Sequence, residues 1–402
     1  MIKKNVLLFV AMVLGPLLAC SFLSLIPTHV FAQAIWISQQ DLNQLPQSGA
    51  AYEDMRDHAD GSWVDPGLTD QDERRDSGIH TLAGYYMWVL TGERQYLTKV
   101  TDQLRGIIGL IVDGEAVSGH TDWESHHTGR KLTAHVIAAD GIRGQDTAFD
   151  SDFADFLIVL STFQHPSGGG GSPSRLQDCS EDRPNNIGNM CRLAMVAIHA
   201  YLQDNTIDMD RLINVHKGYL GDLSAYNSFK YGNLEWQCDP DNPVGINPAG
   251  CTIQVSGETL DVGGGQTEEL RRGAFEFPLP PVNYHWTNLQ GVVPMTQILH
   301  NLGYTAWEWS DQAVKRALDF NHRPIFSPCS GSVCSTNPAV GDDKYVPFIA
   351  NCAIGTTYPT QVPSGKGRTL AWTDWTHGPN SPVCGVTQNH TTPMPPENLS
   401  IE

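Results

Sequence analysis

Arg183-Pro184-Asn185-Asn186 stands directly before the most strongly helical stretch of the chain. Two asparagines at a helix start put amide donors beside backbone N–H groups, an arrangement that can hold a carboxylate. Plain N-capping is the simpler use of the same residues. A second segment, Glu268-Glu269-Leu270-Arg271-Arg272, is followed by Asn283-Tyr284-His285-Trp286. Arginine grips a carboxylate through two parallel hydrogen bonds and favours a neighbouring phenolate, so these segments read as an acid–base site with an anion clamp. Taken singly, Arg-Arg is a solvated surface pair and Tyr-His is packing. The third segment is Asp122-Trp123-Glu124-Ser125-His126-His127, followed by Arg130. Adjacent histidines point to different sides of most backbones, so chelation of a metal by both is not expected. A polar loop rim is the plainer use of this segment.

Helices must carry these groups. Met190, Leu193, Ala194, Ala197, Ile198 and Tyr201 form a continuous apolar stripe at helical spacing. Ile79, Leu82, Ala83, Tyr86 and Leu90 form another, with Gly92 as its stop. Residues 130–142, Leu212 to Leu223, and Leu289 to Leu299 continue the pattern. Ser38 suits the cap of a short helix towards Leu45, and Ser310 or Asp311 the cap of a helix through Val314, Ala317 and Leu318. Strand signals are few. Residues 239–265 read as a long ordered loop, and the chain beyond Arg323 as loop-like. The periodicity predicts a mostly helical protein.

Lys3 and Lys4, the apolar run from Val6 to Pro27, and Ala32-Gln33-Ala34 make a secretory signal peptide over 1–34. Its removal takes away two lysines and moves the formal charge from −19 to −21. A protein this acidic is a poor partner for nucleic acid or an anionic membrane, so an anionic substrate needs a local basic patch. Eight cysteines remain after Cys20 leaves with the signal: 179, 191, 238, 251, 329, 334, 352 and 384. An even number in an exported chain reads as disulfides, most simply between neighbours (179–191, 238–251, 329–334, 352–384). No C-x-x-C occurs, which argues against structural zinc.

Five blocks, in order, resemble the alginate-lyase domain family. They are Ile35-Trp36-Ile37-Ser38 through Leu45-Pro46-Gln47-Ser48-Gly49, Val136-Ile137-Ala138-Ala139-Asp140, the Arg-Pro-Asn-Asn-x-Gly run at 183–188, Tyr284-His285, and Asp374-Trp375-Thr376-His377-Gly378. The resemblance implies an incomplete (α/α) toroid of helical hairpins over 35–325, with a loop-rich, disulfide-containing segment over 326–402 packed on it. It implies cleavage of a uronic-acid polysaccharide by β-elimination. By this resemblance Asn186 neutralises the uronate carboxylate, with Arg271 as the nearest match for the assisting arginine and Arg272 as the alternative. Tyr284 is the Brønsted acid and also a candidate base. Enzymes of this shape carry a histidine directly after the asparagine pair, where this chain has Ile187. His285, His126 or His127 could supply that imidazole, or the tyrosine could make both proton transfers.

Asn185, Arg272, His126, His127, Trp123, Arg130 and Trp286 are the expected substrate-binding residues, the two tryptophans as stacking platforms for sugar faces. The scheme calls for no cofactor and no metal ligand. The expected partner is an anionic polysaccharide, with no nucleic acid and no membrane once the signal is removed, and the chain is expected to be a monomer. A glycoside hydrolase on a similar toroid is the rival enzyme. It needs two carboxylates across a cleft, for which Asp122 and Glu124 are candidates. A non-catalytic glycan-binding homologue is the other alternative.

Overall fold

Four stretches of sequence are apolar, small or internally paired on every helical face, and these become the buried helices of the protein. The computed structural model describes residues 34–70, 76–118, 123–167, 174–280, 282–326 and 343–384. Positions 1–33 of the expected signal peptide, Asp122, and Cys329 with Cys334 lie outside the described residues. The helices are α1 (Gln39–Leu42), α2 (Ala50–Asp60), α3 (Ser77–Thr91), α4 (Arg94–Ile108), α5 (Ser125–Gly141), α6 (Thr147–Thr162) and α7 (Leu176–Asp182). They continue with α8 (Asn186–Leu202), α9 (Met209–Leu220), α10 (Thr267–Leu270), α11 (Tyr284–Asn301), α12 (Trp309–Asn321), α13 (Val346–Ile354) and α14 (Thr373–Thr376). Among the described residues, strand is confined to two short antiparallel hairpins, β1–β2 (Ile111–Val112, Glu115–Ala116) and β3–β4 (Thr252–Val255, Glu258–Asp261).

Ser77–Met87 of α3, Ser125–Ala139 of α5, Gly188–Ile198 of α8 and His285–Leu299 of α11 are buried round the whole helix. The helices that follow α3 and α5 in sequence are amphipathic instead. In α4, Tyr96, Val100, Gln103, Leu104 and Ile107 are buried at helical spacing, and in α6 Phe149, Phe153, Phe156, Leu157 and Leu160 are. The stripe read at 190–201 therefore understates α8, which is central rather than half-exposed.

Glycines set how closely the central helices approach. A Cβ at Gly78 of α3 would stand 2.8 Å from Lys131 O of α5, one at Gly129 of α5 2.8 Å from Cys191 N of α8, and one at Gly291 of α11 2.9 Å from Asn189 C of α8. Gly129→Ala is expected to cost about 1–3 kcal/mol by forcing α5 away from α8. A lower urea midpoint with an unchanged slope checks it. Gly109→Ala, whose new methyl meets nothing closer than 3.5 Å, is the matched control.

The central helices share one direction. The first turns of α5 and α8 meet where Cys191 Sγ lies 3.8 Å from Ser125 O, and their ends meet where Arg143 Nη2 donates to Tyr201 O at 2.6 Å. Gly78 lies against Lys131 and Ala134, and Tyr85 against Gly141, so α3 runs parallel to α5. The far ends of α5 and α11 are tied to the same strand of chain. Ile35 N donates to Asp140 at 3.2 Å, and Asn301 Nδ2 donates to Ile35 O at 3.1 Å and Trp36 O at 2.9 Å.

Several expectations are met and several corrected. Ser38 caps α1, its hydroxyl accepting from Asp41 N at 3.0 Å, and Gly92 ends α3 with a left-handed φ of 70°. Cys179–Cys191, Cys238–Cys251 and Cys352–Cys384 are bonded. Ser310 and Asp311 do not cap α12; they and Gln312 hold left-handed backbone conformations at its start. The segment 239–265 is not all loop, because Ser256-Gly257 closes the β3–β4 hairpin. Nor is the chain beyond Arg323 all loop: α13 and α14 bring Tyr345, Val346, Ile349, Trp372 and Trp375 into the main core. Among the described residues no helix is long and apolar enough to cross a membrane.

Candidate functional site

Asn185 and Asn186 divide the two roles open to them. Asn185 is the N-cap of α8, its Oδ1 accepting from Ile187 N at 3.1 Å and Gly188 N at 3.2 Å. Asn186, the first helical residue, turns its Oδ1 towards Arg272, whose Nη1 donates across 3.3 Å. The Arg272 guanidinium lies 3.7 Å from the centre of the Tyr284 ring. Tyr284 opens α11. Arg272 is exposed and Tyr284 half-buried, so the group can be reached from solvent.

A small second core positions the arginine. Trp236, Val255, Leu260, Val262, Leu270, Leu279 and Phe320 pack beneath the β3–β4 hairpin and anchor α10, which Arg271 and Arg272 follow. Within this turn Arg271 pairs with Glu268 three residues before it, whereas Arg272 turns to Asn186 and Tyr284. Arg271 is held by Glu268, with Nη2–Oε2 at 2.8 Å and Nε–Oε2 at 3.2 Å, and Glu268 also accepts from Gly232 N at 2.8 Å. Arg271 is therefore engaged elsewhere, and Arg272 is the arginine that meets Asn186 and Tyr284.

Glu269 was not singled out by sequence. It is fully buried, and its Oε1 accepts from Asn186 N at 2.5 Å. Burial pushes its carboxyl up to about 8, against the opposing pull of Arg272 and the Asn186 N–H. Its signal lay in the repeated i,i+3 pattern of Glu-Glu-Leu-Arg-Arg, which does not say which carboxylate meets Asn186.

Three expected site residues belong to the core. His285 is buried beside Phe326, ring centres 5.6 Å apart, and burial lowers it to about 4, so it is neutral. Trp286 is fully buried against His322, ring centres 5.3 Å apart. Trp123 is fully buried against Phe163 and His165, its Nε1 donating to Thr128 Oγ1 at 2.9 Å. Neither indole has a face open to a sugar, because each completes a packed interior.

His126 and His127 do not diverge. Successive residues of a helix are about 100° apart rather than opposed, and in the first turn of α5 these rings sit 4.2 Å apart at 64°. His126 Nδ1 lies 3.0 Å from Glu124 Oε2, and His127 Nδ1 3.0 Å from Thr69 O. Burial, with Arg130 next, lowers His126 to about 3; burial also lowers His127. Arg130 is buried one turn on, and Lys131 pairs with Asp70 at 3.0 Å. The Cys191–Ser125 contact sets this cluster beside the opening turns of α8. A cavity of about 590 Å³ lies at the other end of α11, lined by His300, Tyr304, Trp307 and Lys315, away from all these groups.

The chain matches no protein-family model, and no curated protein matches it in sequence.

Proposed function

We propose that the protein is an exported polysaccharide lyase, an (α/α) toroid that cleaves a uronic-acid polymer by β-elimination. The observation that carries this reading is Arg272, which touches Asn186 on one side and Tyr284 on the other. Removing the C5 proton of a uronate builds enolate-like charge on its carboxylate. Arg272 and the Asn186 amide supply fixed charge and donors for that group. As the C5–H bond breaks, its electron pair forms the C4–C5 double bond and the C4–O bond breaks. The Tyr284 phenol protonates the departing oxygen, and as phenolate it can accept the C5 proton. The three disulfides among the described residues agree with an oxidising destination.

Alginate, glucuronan and other uronate polymers, incubated with the purified protein, test the reading through the ultraviolet absorbance of unsaturated uronate ends. Arg272→Ala is expected to lower kcat/KM by about 10²–10³-fold. Arg271→Ala, already engaged by Glu268, should cost far less. New reducing ends without the absorbance would indicate a hydrolase, and binding without any product a non-catalytic homologue.

A further inference from the structure

We propose that Glu124, His126 and His127 form a binding site for a divalent transition-metal ion of the zinc class. The three residues offer one ligand atom each, all within 4.8 Å of one another, and among the described residues no other such group of three occurs. Two imidazoles and one carboxylate suit zinc, whereas calcium and magnesium prefer all-oxygen shells. His127 is already oriented as metal-bound histidines are. Its Nδ1 stands 3.0 Å from Thr69 O and 3.4 Å from Glu124 N, and in the tautomer that the shorter contact favours Nδ1 donates to Thr69 O and Nε2 keeps the lone pair. The 3.0 Å contact between His126 Nδ1 and Glu124 Oε2 shows that these two groups already share one small space. Water completes the shell.

Two features oppose a cation: the positive end of α5 and the Arg130 guanidinium one turn on. Lys131 is offset by Asp70. The site therefore belongs with exchangeable ions rather than with permanently held structural ones. It does not rest on the lyase reading, and its test needs no substrate.

The full chain, stripped with chelator and dialysed, is titrated with zinc chloride by calorimetry, with magnesium and calcium chloride alongside. One equivalent of zinc per chain is expected, with neither of the others binding comparably. Glu124→Gln keeps an acceptor for the α5 N-terminus and should weaken zinc at least tenfold, as should His127→Ala. Cobalt in place of zinc gives a reading independent of any variant, since a four- or five-coordinate histidine site shows visible absorption bands. A folded wild type that binds no zinc, that gives no cobalt bands, or whose zinc is untouched by both substitutions overturns the proposal.

Discussion

Under the proposed lyase chemistry, Tyr284→Phe is expected to lower turnover by about 10²–10⁴-fold while leaving polymer binding and thermal stability unchanged. The substitution removes one hydroxyl and keeps the ring beneath the Arg272 guanidinium, 3.7 Å away. Among the described residues that hydroxyl makes no hydrogen bond whose loss would loosen α11. Kinetics that separate kcat from KM, run beside a thermal melt, decide the matter. Retained turnover would show that the phenol moves no proton, and a lowered melting point would show a packing role instead.

Glu269→Gln tests the buried carboxyl. Its folded value is about 8 against an ordinary 4.5, so between those pH values the native protein holds a proton that the unfolded chain has released. The stability it contributes is complete at the acidic side of that window and is lost as pH rises through about 8, a change on the order of a few kcal/mol. Glutamine keeps an acceptor for the Asn186 N–H and cannot ionise, while the buried neutral histidines, His126 and His285 among them, gain stability with rising pH equally in both proteins, so the difference between the two urea midpoints isolates the carboxyl. Relative to the variant, the wild-type midpoint should fall between pH 5 and pH 8. Glu269→Ala leaves the Asn186 N–H unpaired and should be weaker at every pH. Ionised Glu269 also cancels the charge on Arg272, so KM for a uronate polymer should rise above pH 8 in the wild type and much less in the glutamine variant. Identical pH profiles for the two proteins would remove Glu269 from the site.

The helices were legible where apolar residues recur at helical spacing, as in α3, α8 and α11. Burial on every face was not, because a stripe reports one neighbour and these helices have several. Asn185 and Asn186 were recognised as a pair, but only the backbone shows that one caps and the other faces Arg272. The choice between Arg271 and Arg272 turned on which of them Glu268 engages, and no local pattern encodes that. Trp123 and Trp286 misled because an indole suits a sugar and a core equally well. The closeness of His126 and His127 depended on their falling within a helical turn, whereas the segment read as loop.

The shared direction of α3, α5, α8 and α11 gives the molecule an electrical pole. Each peptide dipole array ends in about half a positive charge, and Asn186, Tyr284, His126 and His127 all stand on such ends. The chain as a whole carries −19. Were the substrate the polyanion of the proposed function, most of the surface would repel it and this end of the bundle would attract it, so its orientation would be selected during approach. Screening over about 8 Å in physiological salt mutes the long-range repulsion more than the close attraction.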